Sequence, residues 1–316
     1  MAIIAWLLHA VGIEQIFGLV RHVDVGLGTA AFGILFIGSI AKAWNWCQLL
    51  VGLRLTTLAR SREVIHCYCS SALLGSVVPS TAGTDAVRAV YTQRILGGKV
   101  SAFAASVVVL NMLGWAASCT MGLCGLLWLN FIGHTPCFAG VAATLFTTII
   151  AGACAAFLLL RYQRGTVLKG LKLAGRSMFW LRRPLRRFLH RLNLFGSAHT
   201  HLAPVFLTAL LVQLTEAAAW GTAGAALGVR FAFPFWMVFT PLVATIGLIP
   251  ASVLGFGANQ AAHVYLLGIV GVPAASAFVL SAFYAFLHLF WNVTVGGLAL
   301  MLSPGGGLRK DTGVAL

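Results

Sequence analysis

Between Leu73 and Arg94 the chain reads LLGSVVPSTAGTDAVRAVYTQR. An apolar helix stops at Pro79, passes a small polar turn, and restarts with Arg88 and Arg94 on the new segment. In water this would be an ordinary helix–turn–helix. Its surroundings are lipid-like, however, with 60% hydrophobic and 9% charged residues over the chain, against about 25% charged in soluble domains. Hydrocarbon offers no hydrogen bonds, so backbone that leaves a helix at membrane depth must be buried in protein or line a wet cavity. The sequence therefore predicts an all-α polytopic membrane protein of about six to eight transmembrane helices. Residues 1–316 form one integral membrane domain, and no stretch is long and polar enough for a separate soluble enzyme domain.

Taken in order, Met1–Ile13 is apolar but short for a span, and Ile13, Ile16, Phe17 and Val20 then recur at helical spacing opposite Glu14, Gln15, Arg21 and His22. Either one tilted span runs to about Val20 or a short helix feeds an interfacial one. Without a basic n-region, and with Glu14 early, the N-terminus does not read as a cleavable signal. Leu27–Leu53 is a span holding Lys42, and Arg54, Arg60 and Arg62 place its end in the cytoplasm. Glu63–Val78 and Asp85–Gly97 are arms around Pro79, each too short for a bilayer core of about 30 Å. They are expected to form a re-entrant hairpin on the cytoplasmic side. Val100–Leu129 and Cys137–Leu160 span out and back.

Net charge is +15, and ten of the 21 Lys and Arg lie between Arg161 and Arg191 with no acid among them. Between hydrophobic spans, such a segment marks a cytoplasmic loop, here residues 161–203, rather than a nucleic-acid site. Leu181, Leu185, Phe188, Leu189 and Leu192 make an apolar stripe beside Arg182, Arg183, Arg186, Arg187 and Arg191. Two readings stand: contact with anionic lipid heads, or a solvated topology determinant. Beyond it, Ala203–Leu227 spans outward with Glu216, Phe233–Ile249 stops at Pro250, a glycine-rich turn follows, Ala258–Val270 resumes, and Ala274–Leu302 closes the set. Arg309 and Lys310 suit a cytoplasmic C-terminus. The seven cysteines show no CxxC and no metal-ligand spacing with histidine, so Cys47, Cys119, Cys124 and Cys154 are expected as buried small hydrophobes.

The second half restates the first. Lys42-Ala-Trp-Asn-Trp46 aligns with Glu216-Ala-Ala-Ala-Trp220, Gly83 with Gly257, Asp85 with Asn259, Tyr91 with Tyr265 and Gly97 with Gly271. The unit is span, broken hairpin, span, with repeat one at about residues 27–129 and repeat two at about 204–302. Charge places the two hairpins on opposite sides, which predicts inverted repeats, and paired interrupted segments point to a binding site near the bilayer midplane.

Few residues can carry chemistry. Asp85 opens the helix after the first break, where a carboxylate caps free N–H groups and suits the positive dipole end. Ser80, Thr81 and Thr84 could do the same. Arg88 stands at i+3 from Asp85, so an ion pair is feasible, and its planar fork suits a phosphate head. The competing reading is a self-satisfied turn that only shapes the hairpin. Lys42 and Glu216 hold equivalent places, and a mid-span charge costs about 2.5–3.5 kcal/mol on insertion scales unless paired or wet, so three outcomes stand open: a salt bridge between them near the axis, snorkelling of Lys42, or separate polar partners for each. Asn259, Gln260 and His263 follow the second break, and His288 and Asn292 lie at i and i+4 on the last span. The histidines read first as packing residues, with a proton relay open. No Ser/His/Asp, paired-carboxylate or Gly-rich phosphate motif is present, and six acids in all argue against metal-dependent phosphoryl chemistry. No catalytic residue, metal or cofactor is expected.

Pro79–Arg88, PSTAGTDAVR, resembles the proline–glycine–Asp–x–x–Arg segment of the flippase-like membrane domain of lysylphosphatidylglycerol synthases, a domain that also occurs alone. Pro250–Gln260, PASVLGFGANQ, resembles that family's second signature, except that Asn259-Gln260 stands where Arg-Glu is usual. The likeness covers roughly Gly26 to Leu302. It implies translocation or handling of a lipid in the cytoplasmic membrane by a chain lacking the synthase domain, with hopanoid transport as one possible subclass. The substrate-binding residues would be Pro79, Ser80, Thr81, Gly83, Thr84, Asp85, Arg88, Pro250, Ser252, Gly255, Gly257, Asn259 and Gln260. A membrane-embedded enzyme on a lipid or polyprenyl substrate, and a scaffold of a lipid-synthesis complex, are the alternatives.

Overall fold

The apolar runs fold as helices because only a helix satisfies its own backbone without water. In a computed structural model of the chain, residues 23–76, 81–132, 139–162, 199–246, 252–253 and 256–302 are described. Residues 1–20, Pro79, Ser80, Pro250, Gly255, nearly all of the basic loop, and Arg309 and Lys310 lie outside them. The helices are α1 (Val25–Gly52), α2 (Ser61–Ser76), α3 (Thr81–Leu96), α4 (Val100–Ile132), α5 (Ala139–Tyr162), α6 (His199–Ala226), α7 (Phe233–Ile246), α8 (Ala258–Ile269) and α9 (Ala274–Met301). Among the described residues, four helices are long and apolar enough to cross a membrane: α1, α4, Ala203–Ala226 of α6, and α9. The chain is an all-α polytopic membrane protein. Among the described residues, the β structure is a two-residue antiparallel ladder in the second turn, pairing Ser252 with Gly257 and Val253 with Phe256.

Cap chemistry fixes the helix ends. Asp24 Oδ1 accepts from the Leu27 N–H at 3.0 Å and starts α1. The helix ends as Leu55 N–H reaches the Leu50 carbonyl and Arg54 N–H the Val51 carbonyl, which is a Schellman closure. That closure puts Arg54 at φ 56°, a left-handed conformation glycine adopts more readily. In α6 the same closure is made by Val229 on Gly224 and Gly228 on Ala225, with glycine now at φ 77°.

These positions stand 174 residues apart, the separation of Lys42 from Glu216. The same shift carries the bounds of α1 onto those of α6, the first residue of α4 onto that of α9, and the positive-φ Gly97 onto Gly271. Packing follows the correspondence. Helices α1 and α6 lie antiparallel: Asp24 N–H donates to the Ala226 carbonyl at 3.0 Å near one end, and Thr208 Oγ1 donates to Gln48 Oε1 at 3.0 Å near the other. Each half lends the first arm of its hairpin to the other half's last span. Thus α2 packs on α9, with Gly296 against the Cys69 carbonyl and Leu73, and α7 packs on α4, with Gly125 against the Pro234 carbonyl. The buried core runs through both halves, with Trp46, Val64, Trp236, Phe239, Leu267 and Leu280 among its members.

Two expectations change. Cys47, Cys67, Cys69 and Cys119 are free and buried, but Cys124 is exposed, because it lies on the outward face of α4. The first restart begins at Thr81, not Asp85. Thr81, Gly83 and Thr84 thus belong to the helix rather than to the turn.

Candidate functional site

The site is assembled at the meeting of the two halves. Helix α1 presents Lys42 and Trp46, and α6 presents Glu216 and Trp220, each pair at i and i+4 and so on one face. Lys42 Nζ donates to Glu216 Oε2 at 2.9 Å, so the cross-half ion pair exists. The other oxygen of Glu216 has company from α9: the Tyr284 hydroxyl donates to Oε1 at 2.7 Å, and His288 Nε2 stands 3.5 Å from it. The Lys42, Glu216 and His288 side chains are 34%, 22% and 36% exposed, so the cluster opens to its surroundings.

The first hairpin supplies a second pair beside it. Arg88 Nη1 lies 3.3 Å from Asp85 Oδ1, and Arg88 Nε lies 3.4 Å from Ser71 Oγ. Its guanidinium sits 4.4 Å from the Tyr68 ring and 5.9 Å from the Trp46 ring, within range of cation–π attraction. Asn111 of α4 donates to Asp85 Oδ2 at 2.6 Å. Asp85 therefore does not cap α3. It lies in the second turn, where the orphan N–H groups are behind it, and its carboxylate is spent on Arg88 and Asn111. Arg88 is 9% exposed, deeper than a surface phosphate clamp. It is close enough to Lys42 for their charges to repel. Lys42, Arg88, Asp85 and Glu216 sum to zero formal charge, which lowers the cost of holding them among apolar helices.

The remaining expected residues lie around this core. Thr81 opens α3, and Gly83 follows in its first turn. Thr84 Oγ1 donates to the Gly75 carbonyl at 3.1 Å and staples α3 to α2. Ser252 and Gly257 form the ladder of the second turn, and Asn259 sits in the first turn of α8. Gln260 and His263 are buried at 1% and 2% exposure. Hairpin two reaches the charges through aromatic rings: His263 stacks on Trp220 at 4.7 Å between centroids, and Trp220 on Tyr284 at 3.7 Å. Sequence reasoning missed Tyr284, Asn111, Tyr68 and Ser71. Tyr284 precedes His288 by one turn, which was the available signal. Asn111 is a lone amide in an apolar helix, a weaker one.

A comparison with protein families matches residues 1–297 to the lysylphosphatidylglycerol synthase TM region. The chain belongs to that family. No curated protein and no solved structure matches it. Membership makes this a multi-pass membrane protein of the lysylphosphatidylglycerol synthase TM-region family, related to lipid handling. In that family member, the charged network described above is the concentration of polar chemistry among the described membrane helices.

Proposed function

We propose that the protein moves a lipid with a polar head group across the cytoplasmic membrane. The observation that carries this is the neutral four-charge network of Lys42, Glu216, Asp85 and Arg88, held by helices from both halves and partly open. A head group crosses beside these charges while its tails stay in lipid. Arg88, steadied by Asp85, and Lys42 are the cations that meet a phosphate. Of the expected binding residues, Thr81, Gly83, Thr84, Ser252, Gly257, Asn259 and Gln260 are the described ones that this reading assigns to the path.

The two halves act as inverted repeats with re-entrant hairpins. Antiparallel α1 and α6, and the exchange of α2 onto α9 and α7 onto α4, support that reading. Basic residues 161–203 and the C-terminus then face the cytoplasm, with Arg161–Arg191 on anionic lipid heads. Cysteines introduced at Ser80 and Ser252 should label from opposite sides of the membrane, and labelling from one side would remove the inversion.

Transport is tested by reconstituting the protein in vesicles with a head-labelled lipid. The expected result is a label that changes leaflet with its mass unaltered. A covalently altered lipid would make the protein an enzyme instead, and no change in either leaflet or mass would end the transport reading.

A further inference from the structure

Helices α3 and α4 pack side by side as antiparallel neighbours. The left-handed Gly97 and Gly98 join them at one end, and the Asn111 amide ties α4 to Asp85 Oδ2 toward the other. Val100, Ala104, Val108 and Asn111 fall at i, i+4, i+8 and i+11, so they share one face of α4. Ala86, Val90 and Arg94 keep the i, i+4, i+8 spacing on α3. All of these are exposed except Ala104, which is half-buried, and Lys99 at the turn is exposed as well.

The charges at the turn are not matched there. Among the described residues Glu63 is the acid at this end, and Arg60 uses it: Arg60 Nε donates to Glu63 Oε1 at 3.0 Å. Arg60 also donates to the Leu96 and Ile95 carbonyls at 3.2 and 3.4 Å, so it is Arg60, not Arg94, that closes the end of α3. Arg94 and Lys99 have no ion-pair partner among the described residues. Two unmatched cations at the mouth of an apolar groove between membrane helices complement a lipid with an anionic head.

We propose that the α3–α4 groove is a binding site for a lipid whose phosphate head carries net negative charge. Arg94 and Lys99 hold the phosphate at the mouth, and an acyl chain lies over Val90, Val100 and Val108. Arginine meets the phosphate through two N–H groups and lysine as a point charge. A zwitterionic head brings its own cation, which Arg94 and Lys99 repel, so it binds less tightly. From Val100 to Asn111 the groove runs about 16 Å along α4, roughly half of a bilayer core of about 30 Å. It leads from the membrane interface to Asp85 and Arg88, and a head group entering along it reaches that pair first. The entry step rests on the transport reading, whereas the binding site does not.

The test uses the full chain in phosphatidylcholine vesicles. A trace of phosphatidylglycerol or of phosphatidylcholine, each with a photoactivatable group on one acyl chain, serves as probe, and cross-linked peptides are mapped by mass spectrometry. The expected result is cross-linking of residues 86–94 and 100–108 that favours the phosphatidylglycerol probe. Arg94→Gln and Lys99→Gln should each weaken it about fivefold, the ratio for about 1 kcal/mol per cation near anionic lipid. If one variant does not fold, the other serves. Groove labelling equal for the two probes, or unchanged in the folded variants, overturns the proposal, and leaves transport standing where the anionic lipid still changes leaflet. Labelling that inorganic phosphate abolishes at constant ionic strength makes the mouth a free-phosphate site and overturns the lipid assignment. Selective labelling that the substitutions weaken, in a protein that moves no lipid, keeps the binding site and removes the transport reading.

Discussion

Removing the Glu216 charge should hurt the fold more than removing Lys42. Among the described residues, Glu216 is the hydrogen-bond partner of Lys42, at 2.9 Å. Glu216→Gln thus strands a cation in a span. Stranding a mid-span charge costs about 2.5–3.5 kcal/mol on insertion scales, and the partial exposure of Lys42 reduces this to about 1–2 kcal/mol. Lys42→Met leaves the carboxylate with the Tyr284 hydroxyl at 2.7 Å and His288 at 3.5 Å, and should cost less, about 1 kcal/mol. The double change removes both charges and should be more stable than Glu216→Gln alone, because no ion is left uncompensated. Thermal unfolding in detergent, read by loss of the monodisperse species, resolves the order. A shift of about 2 °C per kcal/mol is expected at this size. The reasoning is refuted if Lys42→Met/Glu216→Gln melts no higher than Glu216→Gln, since the two residues would then not be energetically paired. The reversed pair Lys42→Glu/Glu216→Lys should likewise outlast either single reversal.

Two further substitutions probe the surroundings. A Cβ on Gly296 would stand 2.8 Å from the Cys69 carbonyl oxygen and from Leu73 Cβ, and backbone cannot yield there. Gly296→Ala should therefore destabilise the α2–α9 contact by about 1–3 kcal/mol, seen as a lower melting temperature, while Gly33→Ala, with nothing within 4 Å of its Cβ, should be neutral. Asn111→Leu removes the 2.6 Å donor to Asp85. It should cost about 1 kcal/mol of stability and slow lipid movement in vesicles, and an unchanged rate would relieve Asn111 of any part in orienting Arg88 through Asp85.

What was legible followed from strong local physics. Uninterrupted apolar runs could only be membrane helices, so α1, α4, α6 and α9 were readable within a few residues. The Lys42–Glu216 pair was legible as one of the open outcomes, because an unpaired charge in a span is costly and both sit at one place in a repeated pattern, but only the structure selects it over snorkelling or separate partners. The bounds of α3 were not. Ser80, Thr81 and Thr84 read equally well as loop or helix start, and tertiary packing of Thr84 on Gly75 is what decides. Asp85 was read as a cap from local order, yet Asn111, 26 residues away, captures its second oxygen. Tyr284 was hidden for the same reason, as was the tie of the already noted His288 to Glu216. The partner of Tyr284 is 68 residues away, and no local pattern announces a shared carboxylate. The ladder at Ser252–Val253 pairs residues across a glycine-rich turn whose sequence carries no strand period.

The claim that a head group crosses beside Arg88 is tested most directly by the leaflet-to-leaflet rate of a head-labelled anionic lipid in vesicles containing wild-type protein or folded Arg88→Gln. Losing a charge-assisted fork to phosphate predicts a rate about tenfold lower, the equivalent of about 1.4 kcal/mol. An Arg88→Gln protein that moves the lipid as fast as wild type would contradict the account.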